Sequence, residues 1–156
     1  MSCSYTTAID EMFAMFNTRW QARTTAIVAY IPDVRYPGVE RPDKPLTSKY
    51  YAQVKILPAG EKQITFRNNV DGLQNVRYNN YGILQFVIFC PLSDSQNALR
   101  GRNLGIVIRD SFSGKESPSG VFFHSAIVKE NLPPTEVFNK IQVNVDYNYD
   151  DVRSST

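Results

Sequence analysis

The sequence predicts an α+β fold, a mostly antiparallel β-sheet with two helices packed on one face. Three observations carry this. The segment 137–149 alternates: Val137, Ile141, Val143, Val145, Tyr147 and Tyr149 fall on one parity, and Lys140, Gln142, Asn144, Asp146 and Asn148 on the other. Side chains of a strand point alternately to its two faces, so this is a strand with one buried and one wet face. At about 3.3 Å per residue it runs roughly 40 Å, long for a globular domain. Second, 81–90 (YGILQFVIFC) is almost continuously apolar. That pattern marks a central strand covered on both sides, or covered by core on one side and by a partner subunit on the other. Third, two amphipathic helical patterns are present and several strands follow one another without intervening helices, which is the α+β order.

The first helical pattern runs from residue 7 to about 22. Ile9, Met12, Phe13, Phe16 and Trp20 recur at helical spacing, Thr7 is the expected N-cap, and Asp10 and Glu11 fall in the first turn, where carboxylates favour the helix dipole. Residues 26–30 read as a short edge strand or extended lead-in. Pro32, Pro37, Pro42 and Pro45 then impose an extended surface segment, with a turn at Pro37-Gly38. Arg35 and Tyr36 sit inside it. An extended segment of this kind binds a neighbour at little ordering cost.

The stretch 49–57 alternates as a strand, 58–61 reads as a turn, and 62–67 as its hairpin partner with Ile64 and Phe66 inward. The polar stretch 68–80 (NNVDGLQNVRYNN) is expected to be a projecting loop from which Val70, Leu73, Val76 and Tyr78 can dock. Ser93, with Gln96 three residues on, is a capping-box pattern opening the second helix, which stops near Gly114. Leu104, Val107, Ile108 and Phe112 form its core stripe. Gly101 and Gly105 lie along the edge of that stripe and imply close backbone approach to the sheet, because mid-helix glycine costs about 1 kcal/mol relative to alanine. Leu99 and Ile106 point the other way, in register, and suggest a contact surface. A strand at 121–129 follows, and residues 150–156 are expected to fray.

The totals of this 156-residue chain exclude more than they select. A net charge of +2 with scattered Lys and Arg marks no phosphate-tracking run. Cys3, in an expected loose terminus, and Cys90 define no disulfide framework and read as free thiols of a reducing compartment. No signal-peptide pattern or membrane-length apolar run is seen, so a soluble protein made in the cytoplasm is expected. The lone His124 has no evident nucleophile or carboxylate partner, and no metal-ligand cluster, nucleotide fingerprint or nucleophile elbow appears. The reading is of a non-enzyme without metal or cofactor. The nine Tyr and nine Phe lie largely on strands and loops, and Tyr suits half-exposed interface positions.

The chain resembles the tail terminator (tail completion) proteins of long-tailed bacteriophages. The resemblance lies in the N-terminal helix with Phe13, Phe16 and Trp20 and the extended segment with Tyr36-Pro37-Gly38. It continues through the hairpin, the polar loop, the strand 82–89 ending in Cys90-Pro91, the second helix, and the closing strand 143–149. It spans nearly the whole chain as a single domain, as element order and pattern rather than as a catalytic signature. It implies a hexameric ring on the head-proximal end of the tail tube. Such a ring ends tube polymerisation and joins the tail to the head connector or head-closure protein. Genomic DNA passes through its lumen unread, and the protein resides at the head–tail junction of the virion after assembly in the host cytoplasm. Arg35, Tyr36, Val70, Leu73, Val76, Tyr78, Leu99 and Ile106 are its candidate interface residues. Another neck or tail ring subunit, a head-closure or tube protein, is the nearest alternative. A single-stranded nucleic-acid module stacking bases on Tyr-rich strands is an alternative of another class.

Overall fold

The computed structural model describes residues 3–39, 44–70 and 73–155. The architecture is the expected α+β: α1 (Tyr5–Arg23), one-turn α2 (Thr25–Val28), β1 (Asp33–Arg35), β2 (Tyr51–Val70), β3 (Leu73–Pro91), α3 (Asn97–Phe112), β4 (Phe122–Lys129) and β5 (Phe138–Ser155). The five strands form one sheet in the order β1-β2-β3-β5-β4. β1 pairs parallel with β2, and the other pairings are antiparallel.

The helices cover one face of the sheet. Met12, Phe16 and Trp20 of α1 and Leu104, Ile108 and Phe112 of α3 are fully buried against Val54, Leu84, Phe86, Ile88, Val143 and Val145. Burying a side chain of this size is worth about 1.5–3 kcal/mol, so this layer carries the stability. Aromatic rings link the layers: Phe86 lies 4.7 Å from Phe16 and 5.7 Å from Phe112 between ring centroids. The two helix glycines sit where α3 meets the sheet. A Cβ on Gly101 would lie 2.5 Å from Cys90 Sγ, and one on Gly105 would lie 3.1 Å from Val128 Cγ1.

Several local expectations are corrected. α1 begins at Tyr5, and its N-cap is Ser4 rather than Thr7. Ser4 is extended and its Oγ accepts from the Thr7 amide at 3.2 Å, so Asp10 and Glu11 fall beyond the first turn. Residues 25–28 are helical, not a strand: the Thr24 hydroxyl donates to the Trp20 carbonyl at 2.6 Å, and Ala29 in the left-handed region (φ 66°) ends the turn. α3 starts at Asn97, and neither Ser93 nor Gln96 caps it. Gln96 holds the N-cap position without a side-chain cap bond, and the Asp94 carboxylate instead orders the turn before it, accepting from the Gln96 amide at 3.0 Å.

The largest correction concerns the middle of the chain. Residues 58–61 are not a turn, since β2 runs on through them. Pro58 is tolerated because β1 pairs only with Tyr51 to Gln53, leaving β2 an edge strand beyond that point. A register shift between Pro58 and Gly60 absorbs the break, and Gly60 lies under the Tyr81 ring, where a Cβ would meet the hydroxyl oxygen at 2.8 Å. The hairpin is therefore β2–β3, with Val70 opposite Leu73. Residues 68–70 and 73–80, expected as a loop, are strand. Asp71-Gly72, between them, lies outside the described residues. Ile64 points to solvent rather than inward, 44% exposed. The C-terminal segment does not fray either. β5 pairs with β3 as far as Ser155 opposite Gln74, and the Cys3 amide donates to the Asp150 carbonyl at 2.8 Å. Cys3 is accordingly buried rather than loose, and both cysteines are free.

The strand 81–90 is not covered twice. Leu84, Phe86, Ile88 and Cys90 are buried under the helices, whereas Ile83, Gln85, Val87 and Phe89 are half-exposed on a face that no described element of the chain covers.

Candidate assembly surfaces

Three surfaces remain once the core is accounted for. The first is an arm. Beyond Tyr149 the ends of β2, β3 and β5 continue as three paired strands past the helix layer. Backbone pairing holds it together with charged side chains. Arg153 donates to Glu61 at 2.7 Å and to Asp151 at 2.9 Å, and its guanidinium lies 4.4 Å from the Tyr78 ring centroid. Arg77 pairs with Asp150, which also accepts from the Asn79 amide at 2.9 Å. The carboxyl of Glu61 is lowered by the hydrogen bonds from Arg153. Ile64, Tyr81 and Val152 on this arm and Leu57 at its root remain largely exposed.

The second is the open sheet face. Along it, Tyr51 stands opposite Phe89, and Phe89 opposite Lys140. The rings of Tyr51 and Phe89 stack at 4.4 Å with an interplanar angle of 3°, and Phe138 meets both edge-on. Phe138, an apolar residue on the polar parity of 137–149, is buried by this cluster, while Val137 is exposed. Further along lies an amide strip: Gln142 and Gln85 both donate to Asn144 Oδ1, at 2.9 and 3.4 Å.

The third is the outer side of the helix layer. Leu99 is 51% exposed on α3. Ile106 is half-buried instead, because the helical turn α2 closes over it. With Val107, Ala26, Ile27, Arg19 and Arg23 it lines a groove of about 450 Å³.

The candidate interface residues thus do not converge on one site. Leu99 and Ile106 belong to the helix layer and Val76 and Tyr78 to the arm. The side chains of Val70 and Leu73, at the arm's tip, lie outside the described residues. Arg35 lies on β1, 3.8 Å from Asp33 and with its guanidinium 5.8 Å from the Tyr51 ring centroid. Tyr36 belongs largely to the core, 4.9 Å from Phe13 between ring centroids, and burial raises its hydroxyl. The aromatic cluster on the open face was not singled out from the sequence. Its only signal is that Tyr51 and Phe89 sit at wet positions of their strands.

Two polar knots pin the edges of the core. Asp94 accepts from the Tyr50 hydroxyl at 2.6 Å and from Arg100 at 2.8 Å. Its carboxyl is lowered first by the Tyr50 bond and then by the Gln96 amide, while the Tyr50 hydroxyl is driven far up by burial and by Asp94. Glu11 accepts from the Ser119 amide at 2.8 Å and hydroxyl at 2.6 Å, tying the loop before β4 to α1. Its carboxyl is lowered because these bonds and one from Ser117 outweigh desolvation.

His124 is exposed, and its ring contacts the Asn148 side chain. Burial pushes the Cys90 thiol up to about 12, leaving it an unreactive packing group. Among the described residues no group of three or more His, Cys, Asp or Glu is placed to hold a metal ion, and no helix is long and apolar enough to cross a membrane.

No protein-family model and no curated protein sequence matches the chain. Among solved structures, one aligns over 90% of this chain and 94% of its own length, with a TM-score of 0.57 and 14% sequence identity. At that identity the likeness shows a shared fold and nothing of function.

Proposed function

We propose that the chain is a structural virion subunit. In this reading it forms a hexameric ring on the head-proximal end of a phage tail tube, ends tube growth, and offers the surface that joins tail to head. The observation that carries this is the division of the sheet. One side is sealed under helices, while the other presents an uncovered face, and beyond the helices runs an arm whose described apolar residues Ile64, Tyr81 and Val152 are covered by no described part of the chain. Large exposed apolar surface on a well-packed subunit marks a contact surface. The two sheet edges also differ. Among the described residues, β4 is free along its outer side apart from one bridge between Glu116 and Phe122, and β2 is free beyond Gln53. Unlike patches on opposite sides of a subunit suit the heterologous contacts from which rings are built. Edges left this long are normally blunted or paired. The element order shared with tail terminators supplies the choice among ring proteins.

The arm gives the test. Glu61 stands opposite Asn80, so residues 62–79 can be excised and the ends joined by Asn-Gly, which favours a two-residue hairpin turn. The shortened protein should fold and melt cooperatively, yet fail to form rings and fail to complement a phage lacking its terminator. Tails of normal length with attached heads, made with the shortened protein, would remove the arm from the assembly role.

A further inference from the structure

Within the ring reading, on which this rests, we infer that the loop 130–136 of one copy docks into a tyrosine-lined cavity beside β1 of the next copy. Pro133 and Pro134 would lie on the rings and Glu136 toward two lysines. The cavity, of about 260 Å³, is lined by Tyr30, Tyr50 and Tyr51 and flanks β1, at one edge of the sheet. Ile31 and Leu46 also line it and are 51% and 63% exposed. Its charge is one-sided. Asp33 and Arg35 pair with each other at 3.8 Å, which leaves Lys44 and Lys49. Among the described residues neither lysine has a carboxylate partner, and Lys49 Nζ lies 5.1 Å from the Tyr30 ring centroid.

The loop 130–136 (ENLPPTE) joins β4 to β5 and leaves from the opposite edge of the sheet. Its shape is set before any contact. Pro133 and Pro134 fix their own φ and hold the residues before them extended. Thr135 closes the end: its amide donates to the Phe138 carbonyl at 2.8 Å, and its Oγ1 accepts from the Phe138 amide at 2.9 Å. Pro133, Pro134 and Glu136 are exposed, and among the described residues Glu136 has no cation partner. Proline segments dock on aromatic-lined grooves at little ordering cost, and a carboxylate two residues on complements the lysines. The fold puts both halves at one height. A single row crosses the sheet through Arg35, Gln53, Val87, Gln142 and Lys129. Arg35 lines the cavity, and Lys129 is the residue before the loop. Neighbours in a closed ring are related by rotation without rise. About an axis along the strands, the loop of one copy therefore arrives level with the cavity of the next.

The test is a charge exchange, read by native mass spectrometry at one subunit concentration. Lys49→Glu and Glu136→Lys alter exposed side chains and should leave the thermal midpoint as it was. Each alone sets like charges against one another across the contact and should weaken association about tenfold or more. Mixed one to one, the two variants should associate again, because each cavity then meets a loop of opposite charge. Asp10→Lys, a comparable charge change at an exposed position of α1, should associate as the unmodified chain does. Association of the mixture, in any number of copies, supports the contact, and the number of copies bears on the ring reading alone. Single variants that assemble as the unmodified chain does overturn the contact and leave the ring reading in place. A mixture that stays monomeric, or an equal loss in Asp10→Lys, overturns the contact as well.

Discussion

The same three strands serve two regimes. Under the helices, β2, β3 and β5 present Val54, Phe86 and Val143 to a packed core, and polar atoms are largely confined to the margins. A few residues further along, the same ladder of backbone bonds continues into the arm, where the partners are Arg153 with Glu61 and Arg77 with Asp150. The covered half is stabilised by burial, which is large and local. The arm is stabilised by backbone pairing and by exposed ion pairs, each of which contributes little alone. A subunit built in this way is expected to keep its fold when the arm is altered, and in the proposed ring the arm would gain its cover from a neighbour.

Substitutions should separate the two halves. Phe86→Ala removes a ring that touches both Phe16 and Phe112. It should cost about 3–5 kcal/mol in denaturant unfolding and leave little folded protein. Gly101→Ala comes next. Its methyl would meet Cys90 Sγ at 2.5 Å and Ile141 Cδ1 at 2.7 Å. We expect a net loss of about 1–3 kcal/mol in spite of the better helix propensity, recovered in part when Cys90→Ala is added. A stabilised Gly101→Ala protein would show that α3 does not press on the sheet as described.

The margin of the core should respond to pH. The Asp94 carboxyl is held below its ordinary value in the folded state, by Tyr50 first. A lowered folded value adds stability above the unfolded pKa, about 4, and that contribution is lost as pH falls through the folded value. The thermal midpoint should therefore fall between pH 5 and pH 3, the pH range where an ordinary Asp begins to protonate, and part of that fall should vanish in Asp94→Asn. The smallest effect belongs to the arm. Arg153→Ala should leave the midpoint of the isolated subunit unchanged within error while weakening ring formation. A large drop in the midpoint would mean that the arm is part of the core after all.

The covered half was largely legible in the sequence because burial imposes period. The stripe Leu104, Ile108 and Phe112, the alternation 141–149 and the close approach at Gly101 are all written as patterns of apolar and small residues. The arm was not legible, for the opposite reason. Its pairing depends on register between segments distant in the chain, such as Asn79 opposite Asp150. Polar side chains that find one another across strands leave no alternation to read, so 68–80 looked like loop and 150–156 like a frayed end. Pro58 misled in the same direction, since a proline on an edge strand ends nothing. The stack on the open face unites Tyr51, Phe89 and Lys140, which lie on three different strands, and only the fold aligns them. Helix starts failed by a few residues because Ser4 was available as a cap ahead of Thr7, and because Asp94 holds residues 94–96 in a turn before α3 begins.

Negative-stain imaging of the purified protein at high concentration, with its mass in solution, tests the central claim most directly. The account predicts closed rings of one diameter and a mass of six subunits for the complete chain, and single subunits for the chain lacking 62–79. Open-ended tubes, or an intact chain that stays monomeric at its highest soluble concentration, would contradict it.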